Sequence, residues 1–145
     1  MTRCAVFDLG STSFQLLVTD VEPDGALTHV LRDRVILNLG AEVAATGQVP
    51  PELVDRALDV VARFRDIAER AEADTLLPVA TAAFRDAANQ PWLAKVLRGA
   101  LGVPVRILAG DEEVGCTVAG IRSSVALDSF HRLLDAVHDD ALRRA

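Results

Sequence analysis

Basic charge is what this sequence has least of relative to its opposite. Fifteen lysines and arginines face 21 aspartates and glutamates, a formal net charge of −6. Nonspecific DNA or RNA binding needs a basic footprint, so no nucleic-acid partner is expected. A polyanionic substrate sits awkwardly with that balance unless arginines are locally concentrated. Cysteine is scarce too: Cys4 and Cys116 are the only two, and they lie far apart and match no zinc spacing. They read as reduced, buried thiols. Long hydrophobic runs are missing. The first apolar run is short and is broken by Asp8, and nothing approaches the ~20 apolar residues of a membrane span. No signal peptide is visible. The expectation is a cytoplasmic chain with no membrane partner. Internal repeats and low-complexity linkers are also lacking.

What is present fits one domain with a real core. The chain has 145 residues, 50% hydrophobic and 25% charged, which suits a folded globular chain. "CAVFDL" and "SFQLLVTDV" read as strands joined by a turn of small residues. "EPDG" is a strong turn signal. "ALTHVLRDRVILNL" reads as a long third strand, bent or interrupted near Asp33, so the first three strands form an antiparallel meander. "GAEVAATGQV" reads as a loop. Pro50 and Pro51 open a helix, with Glu52 and Asp55 in its first turn, where carboxylates suit the dipole. Leu53, Val54, Ala57, Leu58, Val61, Phe64, Ile67, Ala68 and Ala71 keep helical spacing to about Glu72. "TLLPVAT" is a short buried strand, "QPWLAKVLRGAL" a helix closed by Gly102, and "VPVRILAG" a further strand. A helix follows from about Asp111, and another helical pattern runs from about Leu127 to the end. The order β-β-β-α-β-α-β-α, with an extra C-terminal helix, predicts an α/β fold: a mixed five-stranded sheet with helices on its faces.

The chemistry concentrates in "FDLGSTSFQLL". A tight hairpin with Gly10 presents backbone N–H groups toward one point, a concavity suited to anions. Ser11, Thr12 and Ser13 add hydroxyl donors. Asp8 repels a phosphate but suits a divalent cation that neutralises one. An ordinary hairpin turn uses the same residue types. "VATAAFRDAANQ", after the fourth strand, contains Arg85, whose guanidinium suits two phosphate oxygens at once. "LAGDEEVG", after the fifth strand, packs Asp111, Glu112 and Glu113 at a helix start, where capping alone accounts for acids. All three stretches leave the same ends of neighbouring strands, the edge where ligands bind in open α/β sheets.

Taken in order, "DLGSTSFQLLV", "LNLGAEVAATGQVPPE", "VATAAFRDAANQ" and "LAGDEEVGCTVAGI" resemble the N-terminal domain of the exopolyphosphatase/guanosine pentaphosphate phosphatase (Ppx/GppA) family, within the actin-like ATPase superfamily. The resemblance runs from Cys4 to about Ile121. It implies an actin-like (ribonuclease H-like) fold and Mg²⁺-dependent release of a terminal phosphate from polyphosphate or guanosine pentaphosphate. It implies a first phosphate loop of Asp8, Gly10, Ser11, Thr12 and Ser13, with Asp8 toward the metal, and a substrate-phosphate contact at Arg85. It also implies a catalytic base at Glu113, supported by Glu112.

The chain departs from the family pattern in places. Thr12 stands where members often carry Asn. Val114, Gly115, Cys116 and Thr117 follow the two glutamates in place of Ala-Arg and bulky apolar residues. The family's second lobe opens with a D-x-G-G-G-S type loop soon after the position of Ile121, whereas this sequence continues "RSSVALDSFHRLLDAVHDDALRRA". The expected organisation is therefore a phosphate-binding domain at 1–122 and a helical tail at 123–145, with the second lobe absent. In the tail Leu127, Phe130, Leu133, Leu134, Val137, Ala141 and Leu142 approximate one helical face. His131 and His138 are too far apart for a helical metal pair, and His29 is a plain strand histidine. Such a chain acts with a homodimeric or separate second-lobe partner, or binds phosphate compounds as a regulatory domain without turnover, or is a truncated remnant.

Overall fold

The computed structural model describes residues 1–108. Three strands come first: β1 (Thr2–Leu9), β2 (Ser13–Val21) and β3 (Leu27–Ile36). They are followed by α1 (Leu39–Thr46), α2 (Pro51–Arg70), β4 (Thr75–Ala80), α3 (Ala82–Asp86), α4 (Gln90–Leu101) and β5 (Arg106–Ile107). One mixed sheet results, in the order β3-β2-β1-β4-β5. β1 pairs antiparallel with β2 and parallel with β4, so it is the centre of the sheet. Its near-continuous apolar run is what a strand buried on both faces requires.

Side chains alternate between the two faces. One face carries Ala5, Phe7, Leu9, Phe14, Leu16 and Val18, and all four described helices pack on it. α2 contributes Val54, Ala57, Val61, Phe64 and Ala68 at helical spacing. Phe64 meets Phe7 with ring centroids 6.3 Å apart, and Phe84 of α3 meets Phe14 at 6.0 Å. The opposite face carries Cys4, Val6, Leu17 and Leu77, with Val79 and Leu108 beside them.

The mixed five-stranded sheet with helices is as expected, and four local features differ. The stretch expected as a loop contains α1, which buries Leu39 and Val43 one turn apart and ends at Gly47 (φ 81°). A second short helix, α3, forms directly after β4. The irregularity in β3 lies at Val30 rather than near Asp33: Val18 pairs with Leu31 and Thr19 with His29, leaving Val30 as the extra residue. Among the described residues β5 spans only Arg106 and Ile107, starting later than "VPVRILAG" suggests. The helices expected from Asp111 onward and the 123–145 tail, with Cys116, His131 and His138, lie outside the described residues.

Candidate functional site

β1, β4 and β5 run parallel, so their C-terminal ends share one edge. Leu9 lies beside Ala80, and Ala80 beside Ile107. The turn after β1 and the α3 segment after β4 both leave from that edge.

The turn is held from three directions. The Gly10 N–H donates to the Ser13 carbonyl at 3.1 Å. A Cβ at Gly10 would stand 2.9 Å from that carbonyl oxygen, which is why glycine is needed here. The run-in to α1 grips the outer carbonyls: Gly40 N–H donates to Ser11 O (2.9 Å), and Leu37 and Asn38 N–H both donate to Thr12 O (3.0 and 2.9 Å). The approach is close enough that a Cβ on Gly40 would meet the Ser11 Cβ at 2.9 Å. From the third side, α3 donates its Ala83 N–H to Ser11 Oγ at 3.2 Å. The hydroxyl of Ser13, itself buried, accepts from Arg34 Nε at 3.1 Å.

This clamping determines what the turn has left to offer. The amide of Gly10 closes the turn. Those of Ser11 and Thr12 make no hydrogen bond among the described residues, nor does the exposed Thr12 hydroxyl. Two consecutive unspent amides on a braced turn are the kind of backbone group that an anion can use. Ser11 and Ser13 accept through their oxygens and keep their protons to donate.

Asp8 is 7% exposed at the end of β1. Gln15 and then Arg34 flank it on one side, Val79 and then Arg106 on the other. Residues paired across a sheet point to one face, so this polar row lies on the face opposite the described helices. Among the described residues no group of three or more His, Cys, Asp or Glu is placed to hold a metal ion. A single carboxylate still fits Mg²⁺, which keeps several waters and takes substrate phosphate oxygens as ligands.

Arg85 reaches the same edge from α3. One terminal nitrogen donates to the Leu108 carbonyl at 2.9 Å, tying α3 to the chain leaving β5, and Nε lies 3.8 Å from Asp86 Oδ1. The structure thus brings Asp8, Gly10, Ser11, Thr12, Ser13 and Arg85 to one edge. Glu112 and Glu113 lie outside the described residues. Arg34 was not expected there; only the β2–β3 register brings it beside Ser13 and Gln15.

Three groups at the other end of β1 have shifted pKa values. Arg3 Nε bonds Asp20 Oδ1 at 2.7 Å, which raises the guanidinium's pKa and lowers the carboxylate's. Burial pushes the Cys4 thiol up to about 11.

The fold and residues of this chain are similar to those of known proteins. The profile of the Ppx/GppA phosphatase family matches residues 17–136. Exopolyphosphatase 2 of Mycobacterium tuberculosis is 33% identical over 128 residues, covering 83% of this chain and 40% of that protein. The crystal structure of an exopolyphosphatase from Cytophaga hutchinsonii is 26% identical with a TM-score of 0.71, over 78% of this chain and 36% of that one. The Aquifex aeolicus Ppx/GppA family member, at 24% identity and a TM-score of 0.72, shares the fold over 79% of this chain and 37% of its own. The chain therefore spans about two fifths of the length of such relatives.

Proposed function

The chain belongs to the Ppx/GppA phosphatase family, as an N-terminal domain of the actin-like ATPase type, and on that premise we propose that it is the phosphate-binding lobe of a phosphoanhydride hydrolase. The substrate class is polyphosphate or guanosine pentaphosphate, with release of the terminal phosphate. The observation that carries this reading is the turn itself: two unspent amides on a braced loop, beside a buried aspartate, at the sheet edge reached by Arg85.

In this reading the amides of Ser11 and Thr12, with the three hydroxyls, bind and orient the phosphate. Arg85 offsets charge on its oxygens. Asp8 holds Mg²⁺ through its carboxylate, and the ion, when bound, neutralises phosphate charge. Glu113 orients the attacking water and takes its proton, a role that typically contributes ~10²–10⁴-fold; Glu112 supports it. Phosphoryl transfer asks little else of a protein than positioning and electrostatic stabilisation.

The test is phosphate release from polyphosphate and pppGpp with Mg²⁺, paired with ligand-induced thermal shift, which rises with binding by linkage. Asp8→Ala should remove most of the shift and leave the fold intact. Glu113→Gln should leave the shift nearly unchanged and abolish turnover. A full shift in Asp8→Ala would put binding elsewhere, and a full rate in Glu113→Gln would refute the base.

A further inference from the structure

We propose that Arg34 is a phosphate-binding residue of this site, and that the Ser13 hydroxyl is the positioning group that holds it there. The proposal rests on the phosphate-binding reading above and adds to it a second guanidinium.

An arginine on a strand at the sheet margin is ordinarily a solvated charge that guards an exposed edge. Three observations separate Arg34 from that case. Its Nε is fixed at 3.1 Å on the buried hydroxyl of Ser13, a residue of the phosphate turn 21 positions earlier. It has no carboxylate partner among the described residues, although the chain carries six more acids than bases. The adjacent Asp33 is taken: its Oδ1 accepts from the Arg34 backbone N–H at 2.8 Å and its Oδ2 from Arg63 at 2.6 Å. Finally, Arg34 lies in the same lateral row as Asp8, with only Gln15 between them. Neighbouring strands are about 4.8 Å apart, so two steps span about 10 Å. A phosphate oxygen between the turn and that row lies within reach of a long guanidinium side chain.

The chemistry follows from the fork of the guanidinium. With Nε committed to Ser13, the two terminal nitrogens remain to donate as a pair, the geometry that suits a phosphate. An acidic chain that handles a polyanion needs such a charge close to the loop and unshared with a carboxylate. Ser13 then has two duties through one oxygen: it accepts from Arg34 and directs its own proton toward ligand.

Calorimetric titration with tripolyphosphate in Mg²⁺, on the full chain, tests this. Arg34→Gln should weaken binding about tenfold or more while the melting temperature without ligand stays within a few degrees. Arg34→Lys, which keeps the charge but loses the fork, should recover part of the loss. Ser13→Ala should also weaken binding, and Ser13→Ala with Arg34→Gln should lose less than the sum of the two single losses, because only the loss of the proton that Ser13 itself donates remains once Arg34 is gone. If the wild type binds and Asp8→Ala abolishes binding while Arg34→Gln binds normally, the phosphate reading stands and this proposal falls. Fully additive losses would remove the positioning role of Ser13. No binding by the wild type would overturn both.

Discussion

Cys4 shows how far a single residue's chemistry is set by where its strand sits. It is 3% exposed on β1, between the Val6–Leu17–Leu77 cluster and the acids Asp20 and Asp74. Burial is the main cause of its high pKa, and the two carboxylates add to it, bringing the thiol to about 11. At pH 8 about one such thiol in a thousand is ionised, against roughly one in four for a free cysteine, and the thiolate is the reactive form. In a Cys116→Ser background, a thiol reagent at pH 8 should label Cys4 at least ~100-fold more slowly in buffer than in denaturing urea. Comparable rates would mean that β1 is far more open than its burial shows. Arg3 and Asp20, one position before Cys4 and directly opposite that arginine, bind each other firmly, so the far end of β1 is closed by its own charges.

At the scale of elements, two glycines near the end of α4 should respond to alanine with opposite signs. Gly99 sits inside the helix, and a methyl group added there would meet nothing within 4 Å, so Gly99→Ala removes only chain entropy and should stabilise by about 0.5–1 kcal/mol. Gly102 caps the same helix at φ 76°, where its N–H donates to the Arg98 carbonyl. Alanine there is strained and should destabilise by ~1 kcal/mol. Urea unfolding of the two variants gives both signs, and stabilisation by Gly102→Ala would contradict the cap. The same elements show what could be read without coordinates. β1, β2, β4, α2 and α4 were legible because apolar periodicity, Pro51 and Gly102 all agree on them. α1 was hidden because "LGAEVAATG" buries only Leu39 and Val43, and its glycines read as loop. β5 starts later than expected because "VPV" has the composition of a strand, yet among the described residues only Arg106 and Ile107 pair with β4. In the site, Asp8, the turn and Arg85 were visible as short motifs. Arg34 was not, since its place depends on the β2–β3 register, which is set by a bulge at Val30 and by side-chain packing rather than by any local pattern.

The described part of the molecule puts Asp8, the turn at Gly10–Ser13 and Arg85 on one edge of one sheet. Phosphoryl transfer needs donor, water and metal held from several sides with bulk solvent excluded. A single edge is one wall of such a site. Losing one preorganised donor typically costs ~10²–10³-fold in rate, and the described residues supply donors from one side only. We therefore expect the monomeric chain to bind tripolyphosphate yet hydrolyse polyphosphate and pppGpp slowly. The rate per chain should climb with concentration, through a homodimer that supplies the facing wall, or on addition of a separate second-lobe protein. Phosphate release across a hundredfold range of chain concentration, read beside sedimentation of the same samples, separates these cases. A concentration-independent rate from a demonstrated monomer, fast and lost in Glu113→Gln, would refute the expectation. The donors of the facing wall would then have to come from this chain itself, and the search for them would begin among residues 109–145.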